Sequence, residues 1–137
     1  MTQVLALTGG VGGAKLAVGL AANLDAEELS VVANTGDDFE HLGLHIAPDL
    51  DSVMYTLAGL NDSDRGWGVK GESWQAMSAL EQLQGETWFR LGDKDLATHL
   101  QRSRLLRDGF SLSEATTKLC EALEIRHPLI PMSDQPV

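Results

Sequence analysis

The sequence predicts an α/β fold in which a Rossmann-like parallel sheet is flanked by helices. An apolar run at residues 3–8 ends at a cluster of glycines, leucines then recur at helical spacing, and a second apolar run covers residues 29–33. A strand, a glycine turn, a helix and a second strand in this order form a parallel βαβ unit with a right-handed crossover.

The rest of the chain reads as helices joined by loops. Residues 36–50 read as a loop, residues 88–91 are a strand candidate, and Arg102, Arg104 and Arg107 look like an exposed helix face. Further helices are expected from Pro48, over residues 73–83, from Asp93 or Asp95 as cap to about residue 107, and from the capping box of Ser111 and Glu114.

The composition favours a globular domain in the cytoplasm. The chain has 137 residues, of which 43% are hydrophobic, and its single cysteine, Cys120, fits a reducing compartment. No segment approaches about 18 consecutive apolar residues, so we expect no membrane partner. The formal net charge of −10 repels nucleic-acid backbones, so we expect no nucleic-acid partner.

The glycine-rich segment after the first strand predicts a phosphate site, with a ligand-free tight turn as the alternative. It comprises Gly9, Gly10, Val11, Gly12 and Gly13, with Lys15 close behind and a helix expected from about residue 14. Glycines let backbone N–H groups face an anion, and a helix start adds positive potential. The segment matches neither the Walker A pattern nor the dinucleotide-binding fingerprint, because Lys15 stands at a position that fits neither motif.

Aspartates are expected beside this segment. Asp37 and Asp38 follow the second strand, and loops at the carboxyl ends of adjacent parallel strands face one crevice. A diphosphate beside carboxylates needs a cation between them, and Mg²⁺ takes one or two carboxylates plus phosphate oxygens. Asp49 and Asp51 either join this crevice or only cap a helix, and the last apolar run leads to Asp134.

Several ordered segments carry a resemblance to a known family: residues 8–16, 34–38, 48–55, 66–68, 88–99 and 131–134. Together they resemble the 2-phospho-L-lactate transferase family of coenzyme F-420 biosynthesis. Members of that family are longer, so residues 1–137 are expected to be the amino-terminal portion of a single Rossmann-like transferase domain, incomplete at the carboxyl end. One departure is Gln135, where the family usually has a second aspartate.

The resemblance implies a specific reaction. Family members move a phospho-three-carbon-acid unit from a guanosine diphosphate-activated donor to the deazaflavin alcohol Fo, releasing GMP. They use Mg²⁺ and are commonly homodimers. Whether the acid is of the lactate, enolpyruvate or glycerate type stays open.

The resemblance also implies roles for individual residues. Asp51 and Arg90 would hold Fo, and Asp51 and Lys15 would serve in catalysis, with Asp51 a candidate acceptor of the hydroxyl proton. Mg²⁺ would lie near Asp37, Asp38 and Asp134. The donor nucleotide and its phosphates would contact Gly9, Gly10, Val11, Gly12, Gly13, Lys15, Ser133 and Asp134.

The alternative is a protein of another class. The gluconeogenesis factors are non-catalytic nucleotide-sugar-binding regulators that share the glycine loop and the neighbouring pair of aspartates. The segments around Trp67 and from Trp88 to His99 favour the transferase, because an acceptor pocket needs them and a binding module does not.

Overall fold

The computed structural model describes residues 3–136 and confirms the predicted α/β class. The strands are β1 (Val4–Thr8), β2 (Leu29–Ala33), β3 (Phe39–His41), β4 (Leu44–Ile46) and β5 (Leu129–Pro131). The helices are α1 (Val11–Ala21), α2 (Pro48–Leu57), α3 (Gln75–Gln82), α4 (Asp93–Arg107) and α5 (Leu112–Ala122). Within residues 3–136, no helix combines the length and apolar character that a membrane crossing requires.

The main sheet is parallel and has β2 in its middle, between β1 and β5. The predicted βαβ unit is therefore confirmed. One face of the sheet is buried in a core that it shares with α1, α2 and α5, and small side chains such as Ala6, Ala14 and Ala17 let α1 approach β1 closely. This packing fixes the carboxyl ends of the strands and the first turns of α1 and α2 at one edge of the sheet.

The opposite face of the sheet is apolar and uncovered. The register places Leu7 beside Val32 and Val32 beside Ile130, so one row of apolar side chains crosses all three strands. Leu7 is 74% exposed and Ile130 is 40% exposed. Parallel sheets normally have both faces covered, so this face of the described sheet differs from the usual arrangement.

Two predicted boundaries are wrong. Helix α1 begins at Val11 and not near residue 14, because its first helical hydrogen bond joins Ala14 N to Gly10 O at 3.0 Å. The expected loop at residues 36–50 contains the β3–β4 hairpin. The predicted start of α2 at Pro48 is confirmed. The hairpin strands have three residues each, which is too short for an alternating pattern to reveal them.

Residues 88–91 form no strand, and their aromatic side chains pack together with Phe39 and His41 instead. The cap of α4 is Gly92, so neither Asp93 nor Asp95 caps it. Asp93 instead accepts hydrogen bonds at the start of α3, and the N–H of Ala76, above all, lowers the pKa of its carboxyl. The capping box at the start of α5 is confirmed.

Candidate functional site

The carboxyl ends of β1 and β2 meet at a crevice that Asn34 organises. Asn34 N donates to Thr8 O at 3.0 Å, and Asn34 Nδ2 lies 2.8 Å from Asp49 Oδ2 and 3.4 Å from Asp37 Oδ2. A Cβ added to Gly10 would lie 3.2 Å from Asp49 Oδ1. The structure thus brings the glycine segment, Asp37 and Asp49 to one place, as the sequence predicts. Asp38, which was predicted to lie there too, instead pairs with His45.

The glycines of this segment differ in the space around them. A Cβ on Gly13 would lie 2.7 Å from Thr8 Cβ, so a larger side chain would push α1 away from β1. A Cβ on Gly9 or Gly12 would meet no atom within 4 Å. Since α1 begins at Val11, the first N–H groups of the helix have no intrahelical acceptor and face out of its amino end. This end can therefore approach an anion closely.

A cavity of about 240 Å³ lies at the amino end of α1, and we call it the glycine-loop cavity. Lys15 is the cation that lines it, and Val11 and Ala14 form the helix side of its wall. The opposite wall comes from α2 and from the loop that follows it, including Asn61, Asp62 and Ser63. A cation beside a helix amino end suits a phosphate group.

A second cavity of about 380 Å³ adjoins the first, and we call it the aromatic cavity. The two cavities share part of their walls: Ser52, Tyr55, Trp67 and Gly68. The aromatic cavity is lined by Ile46, Pro48, Asp51, Ser52, Tyr55, Trp67, Gly68, Phe89, Arg90, Asp95 and His99. A ligand group in one cavity would therefore lie next to a group in the other.

Aromatic side chains and cations pack together beside the aromatic cavity, and Trp67 and Arg90 are among its lining residues. The guanidinium of Arg90 lies 4.7 Å from the ring centre of Trp74, and that of Arg65 lies 4.4 Å from the ring centre of Trp67. The rings of Trp67 and Trp74 meet at 6.0 Å between their centres. Such surfaces suit a planar ring system, since aromatic rings and guanidinium groups stack on one another.

A network of polar side chains closes the inner end of the aromatic cavity. Arg102 Nη2 donates to Asp51 Oδ1, and Arg102 Nη1 lies 3.3 Å from both His45 O and His99 Nδ1. His99 Nδ1 is 3.6 Å from Asp51 Oδ2. Because a guanidinium only donates, Nδ1 must accept, and the proton of neutral His99 must be on Nε2.

The Nε2 atom of His99 lies near a second carboxylate. His99 Nε2 lies 3.2 Å from Asp95 Oδ1, and the hydroxyl of Tyr55 donates to the same oxygen at 2.6 Å. Asp51 and Tyr55 lie one turn apart on α2, and Asp95 and His99 lie one turn apart on α4. The two helices therefore each present one carboxylate and one ring side chain to the same point.

Burial and neighbouring charges shift the pKa values of these groups in opposite directions. Burial raises the pKa of Asp51, against the opposing charge of Arg102. Burial also pushes the pKa of Asp95 upwards, but the hydrogen bond and charge of His99, with the Tyr55 hydroxyl, outweigh it, so its pKa is lowered. Burial lowers the pKa of Arg102, but the carboxylate of Asp51 outweighs this effect, so the pKa of Arg102 is raised. Arg102 and Asp95 therefore stay charged.

A third cavity, of about 140 Å³, lies where β2 and β5 end beside α4 and α5, and we call it the aspartate cavity. Thr35, Asp38, His45 and Asp134 are among its lining residues. Asp38 Oδ2 is 3.0 Å from His45 Nε2, while Asp38 Oδ1 and Thr35 Oγ1 are buried without a hydrogen-bond partner. Asp134 Oδ1 accepts from the N–H and the hydroxyl of Ser113 at 2.8 and 2.6 Å.

The aspartate cavity fits the Mg²⁺ that the resemblance implies, because it offers buried oxygens that lack a partner. Asp51, Asp95 and His99 also place one ligand atom each within 4.8 Å of the others. That second set fits Mg²⁺ less well, since Mg²⁺ prefers oxygen to imidazole nitrogen and Arg102 already neutralises Asp51. Asp37, the remaining predicted ligand, is exposed and does not line the aspartate cavity.

The predicted site residues thus fall into separate places. Val11 and Lys15 line the glycine-loop cavity, Asp51 and Arg90 line the aromatic cavity, and Asp38 and Asp134 line the aspartate cavity. Ser133 lines none of these three cavities, and its hydroxyl accepts the N–H of Gln135 at 3.1 Å.

Sequence reasoning gave no role in the site to several of its side chains: Thr35, Tyr55, Asp95 and Arg102. His99 was a candidate acid or base, with a structural role favoured. Arg102 was expected on an exposed helix face and is only 1% exposed. Helical spacing offered a signal, because Asp95, His99 and Arg102 recur at intervals of about one turn. That spacing marks one face of α4, although it does not say that the face is buried.

A family model described as 2-phospho-L-lactate transferase CofD matches residues 4–137. The chain is 44% identical over 137 residues to a phosphoenolpyruvate transferase of Kitasatospora aureofaciens, covering 98% of this chain and 43% of that protein. It is 46% identical over 133 residues to a phosphoenolpyruvate transferase of Nocardia farcinica, covering 96% of this chain and 40% of that protein.

These matches define the class as a transferase-family α/β protein. The chain belongs to the 2-phospho-L-lactate transferase family, CofD. It spans less than half the length of the curated relatives it matches.

Proposed function

We propose that the chain carries the binding sites of a transferase of coenzyme F-420 biosynthesis. The reaction moves a phospho-three-carbon-acid unit from a guanosine diphosphate-activated donor to the deazaflavin Fo and releases GMP. The observation that supports this most directly is the pair of adjoining cavities, one beside a helix amino end and Lys15, the other lined by aromatic side chains. A group-transfer reaction needs such a pair, because donor and acceptor must be held next to each other.

The donor would bind at the glycine-loop cavity. Its phosphates would meet the free N–H groups at the start of α1, where Gly9 and Gly12 leave open space, and Lys15 would neutralise part of their charge. Asp38 and Asp134 would hold Mg²⁺, with Thr35 adding a hydroxyl oxygen. When bound there, at the same edge of the sheet as the glycine segment, Mg²⁺ would supply positive charge to the donor side of the site.

The acceptor would bind in the aromatic cavity. The deazaflavin ring would lie against Trp67, Phe89 and Arg90, and its side chain would reach towards the wall that the two cavities share. Ser52 and Tyr55 lie in that shared wall, so the acceptor hydroxyl and the donor phosphate would meet there. The carboxylates of Asp51 and Asp95 lie at the inner end of the same cavity.

The proposed step is a displacement at phosphorus. The hydroxyl oxygen of the acceptor forms a bond to the β-phosphorus of the donor, and the bond from that phosphorus to the oxygen of GMP breaks. The hydroxyl proton passes to a carboxylate of the aromatic cavity. Most of the catalysis would come from positioning and charge neutralisation, as is usual for phosphoryl transfer.

We propose a phosphoenolpyruvate-type unit as the transferred acid. The relatives from Kitasatospora aureofaciens and Nocardia farcinica are both named phosphoenolpyruvate transferase and are at least 44% identical to this chain. The family description names 2-phospho-L-lactate instead, so the mass of the product distinguishes the two. The cytoplasmic location, the homodimer and the place of residues 1–137 in one larger domain remain predictions.

Ligand-induced melting tests the proposed function. We expect Fo and GDP together to raise the unfolding temperature more than either alone, because the two cavities adjoin. Replacing Arg90 by Ala should remove the effect of Fo and leave that of GDP. Stabilisation by a uridine nucleotide-sugar alone, with no response to Fo, would support the gluconeogenesis-factor alternative and refute the transferase.

A further inference from the structure

Trp67 lines both cavities and is presented by a loop that turns sharply on either side of it. Its neighbours Gly66 and Gly68 have φ angles of +85° and +75°, in the left-handed region that favours glycine. The side chain of Trp67 is not enclosed, since the residue is 44% exposed. Two flanking glycines restrict the backbone little, so the direction of the indole depends on contacts with other side chains.

Arg65 makes such contacts with both the backbone and the ring of Trp67. Its Nε donates to the carbonyl of Trp67 at 3.1 Å, and its guanidinium carbon lies 4.4 Å from the ring centre. Its Nη2 donates to the carbonyl of Val69 at 3.2 Å. Because Val69 is buried in the main core, this second hydrogen bond ties the loop to a fixed point. One side chain therefore holds Trp67 in the wall of the two cavities.

The guanidinium of Arg65 is itself held in place. Its Nη1 lies 3.7 Å from Asp62 Oδ2, and the backbone N–H of Arg65 donates to Asp62 Oδ1 at 2.8 Å. A Cβ added to Gly68 would lie 2.7 Å from Arg65 Nη2, so a larger residue at that position would displace the guanidinium. The side chain of Arg65 is only 26% exposed. These contacts give it a defined position, which a freely moving surface arginine would lack.

Arg65 also belongs to a row of stacked side chains that ends at the aromatic cavity on both sides. Its guanidinium lies 5.2 Å from the ring centre of Trp74, and that of Arg90 lies 4.7 Å from the same ring. Trp67 and Arg90, at the two ends of the row, line the cavity, whereas Arg65 and Trp74 are not among its lining residues. Arg65 is therefore placed to act on a bound molecule through the side chains that it contacts.

We infer that Arg65 is a positioning residue that fixes the indole of Trp67 as a flat surface for the planar ring of the molecule bound in the aromatic cavity. This inference rests on the proposed function, in which that ring is the deazaflavin of Fo. A surface that is already in place raises affinity, because binding is weakened by the fraction of protein in which the surface is misplaced.

Replacing Arg65 by Gln tests this role. The shorter amide carries no charge and cannot donate to both carbonyls, so the indole of Trp67 should lose its fixed position. The dissociation constant of Fo, measured by calorimetry with this chain, should rise about 3- to 10-fold, as expected if the indole is correctly placed for about a third to a tenth of the time. Arg104→Gln is the matched control, because the Arg104 side chain is 75% exposed on α4, and it should bind Fo as the wild type does.

A double-mutant cycle with Trp67→Ala separates positioning from a general effect on the fold. Trp67→Ala should weaken Fo binding more than Arg65→Gln does. Adding Arg65→Gln to Trp67→Ala should cause no further loss, because Arg65 acts through the indole. Unchanged Fo binding in Arg65→Gln, or an equal loss from this change with and without the indole, overturns the inference.

Fluorine NMR of protein labelled with 5-fluorotryptophan gives an answer that needs no ligand, with Trp67→Phe assigning the resonance. In Arg65→Gln the Trp67 resonance should move towards its value in unfolded protein. The resonance of Trp88, which stacks on Phe39 instead, should stay in place. Arg65→Lys should also move the Trp67 resonance, because it keeps the charge but lacks the planar fork that reaches both carbonyls.

The two measurements fail in different ways. If the wild-type protein does not bind Fo, the proposed function fails, and the fluorine resonance alone decides whether Arg65 positions Trp67. An unchanged Trp67 resonance in both Arg65→Gln and Arg65→Lys contradicts the inference in either case.

Discussion

Replacing Arg102 by Met tests the buried ion pair that supports the aromatic cavity. Arg102 is 1% exposed, and its guanidinium contacts Asp51, the carbonyl of His45 and His99 Nδ1. Methionine fills a similar space without charge or donors. The change therefore leaves the carboxylate of Asp51 buried beside α4 with no counter-charge.

The expected cost is large for a chain of this size. Removing one partner of a buried ion pair costs about 3–5 kcal/mol, because the remaining charge is desolvated without compensation. Stability of small domains is about 5–15 kcal/mol, so the variant would lose a substantial fraction of it. At about 3–5 °C per kcal/mol, the unfolding temperature should fall by about 10–25 °C.

Urea unfolding followed by tryptophan fluorescence measures this loss. Arg104→Met is the control, because the Arg104 side chain is 75% exposed on the same helix, and it should change the free energy of unfolding by less than about 0.5 kcal/mol. The double variant Asp51→Asn with Arg102→Met leaves no unpaired charge. It should recover at least about 2 kcal/mol of the loss.

A loss below about 1 kcal/mol in Arg102→Met would refute the reasoning. It would mean that water reaches Asp51 or that Arg102 is not buried in solution. Failure of the double variant to recover stability would show instead that the cost comes from lost packing, with no contribution from the unpaired carboxylate.

Further predictions concern other parts of the fold. Gly13→Ala should lower the free energy of unfolding in urea by about 1–3 kcal/mol, because its Cβ would lie 2.7 Å from Thr8 Cβ. Gly12→Ala should change the free energy of unfolding by less than about 1 kcal/mol and should weaken GDP binding. Equal losses of stability in the two variants would contradict this reasoning. Burial raises the pKa of the Cys120 thiol to about 12, so iodoacetamide at pH 8 should label it only after unfolding, and rapid labelling of folded protein would oppose this. Leu7→Lys should reduce self-association in sedimentation experiments without lowering stability, since Leu7 is 74% exposed on the uncovered sheet face; unchanged association would show that this face does not drive it.

Local sequence patterns were sufficient to predict much of the fold. The β1–α1–β2 unit follows from apolar runs, glycines and leucine spacing, all of which act within a few residues of one another. The cap of α5 could also be predicted, because Ser111 and Glu114 satisfy each other's backbone groups within one turn. Short strands such as β3 and β4 could not, since three residues carry too little periodicity.

The sequence by itself determined the α/β class, the family, the glycine segment at the start of α1, and the pairing of Asp51 with Arg90 as site candidates. Each depends on neighbours in the chain or on ordered motifs. Only the tertiary structure decided that Arg102 is buried and that Asp95 and His99 face Asp51. Those facts depend on how α4 packs beside α2, and the same helical spacing is compatible with an exposed or a buried face. The charge of Arg102 suggested exposure, and the carboxylate of Asp51, 51 residues away, is what allows its burial.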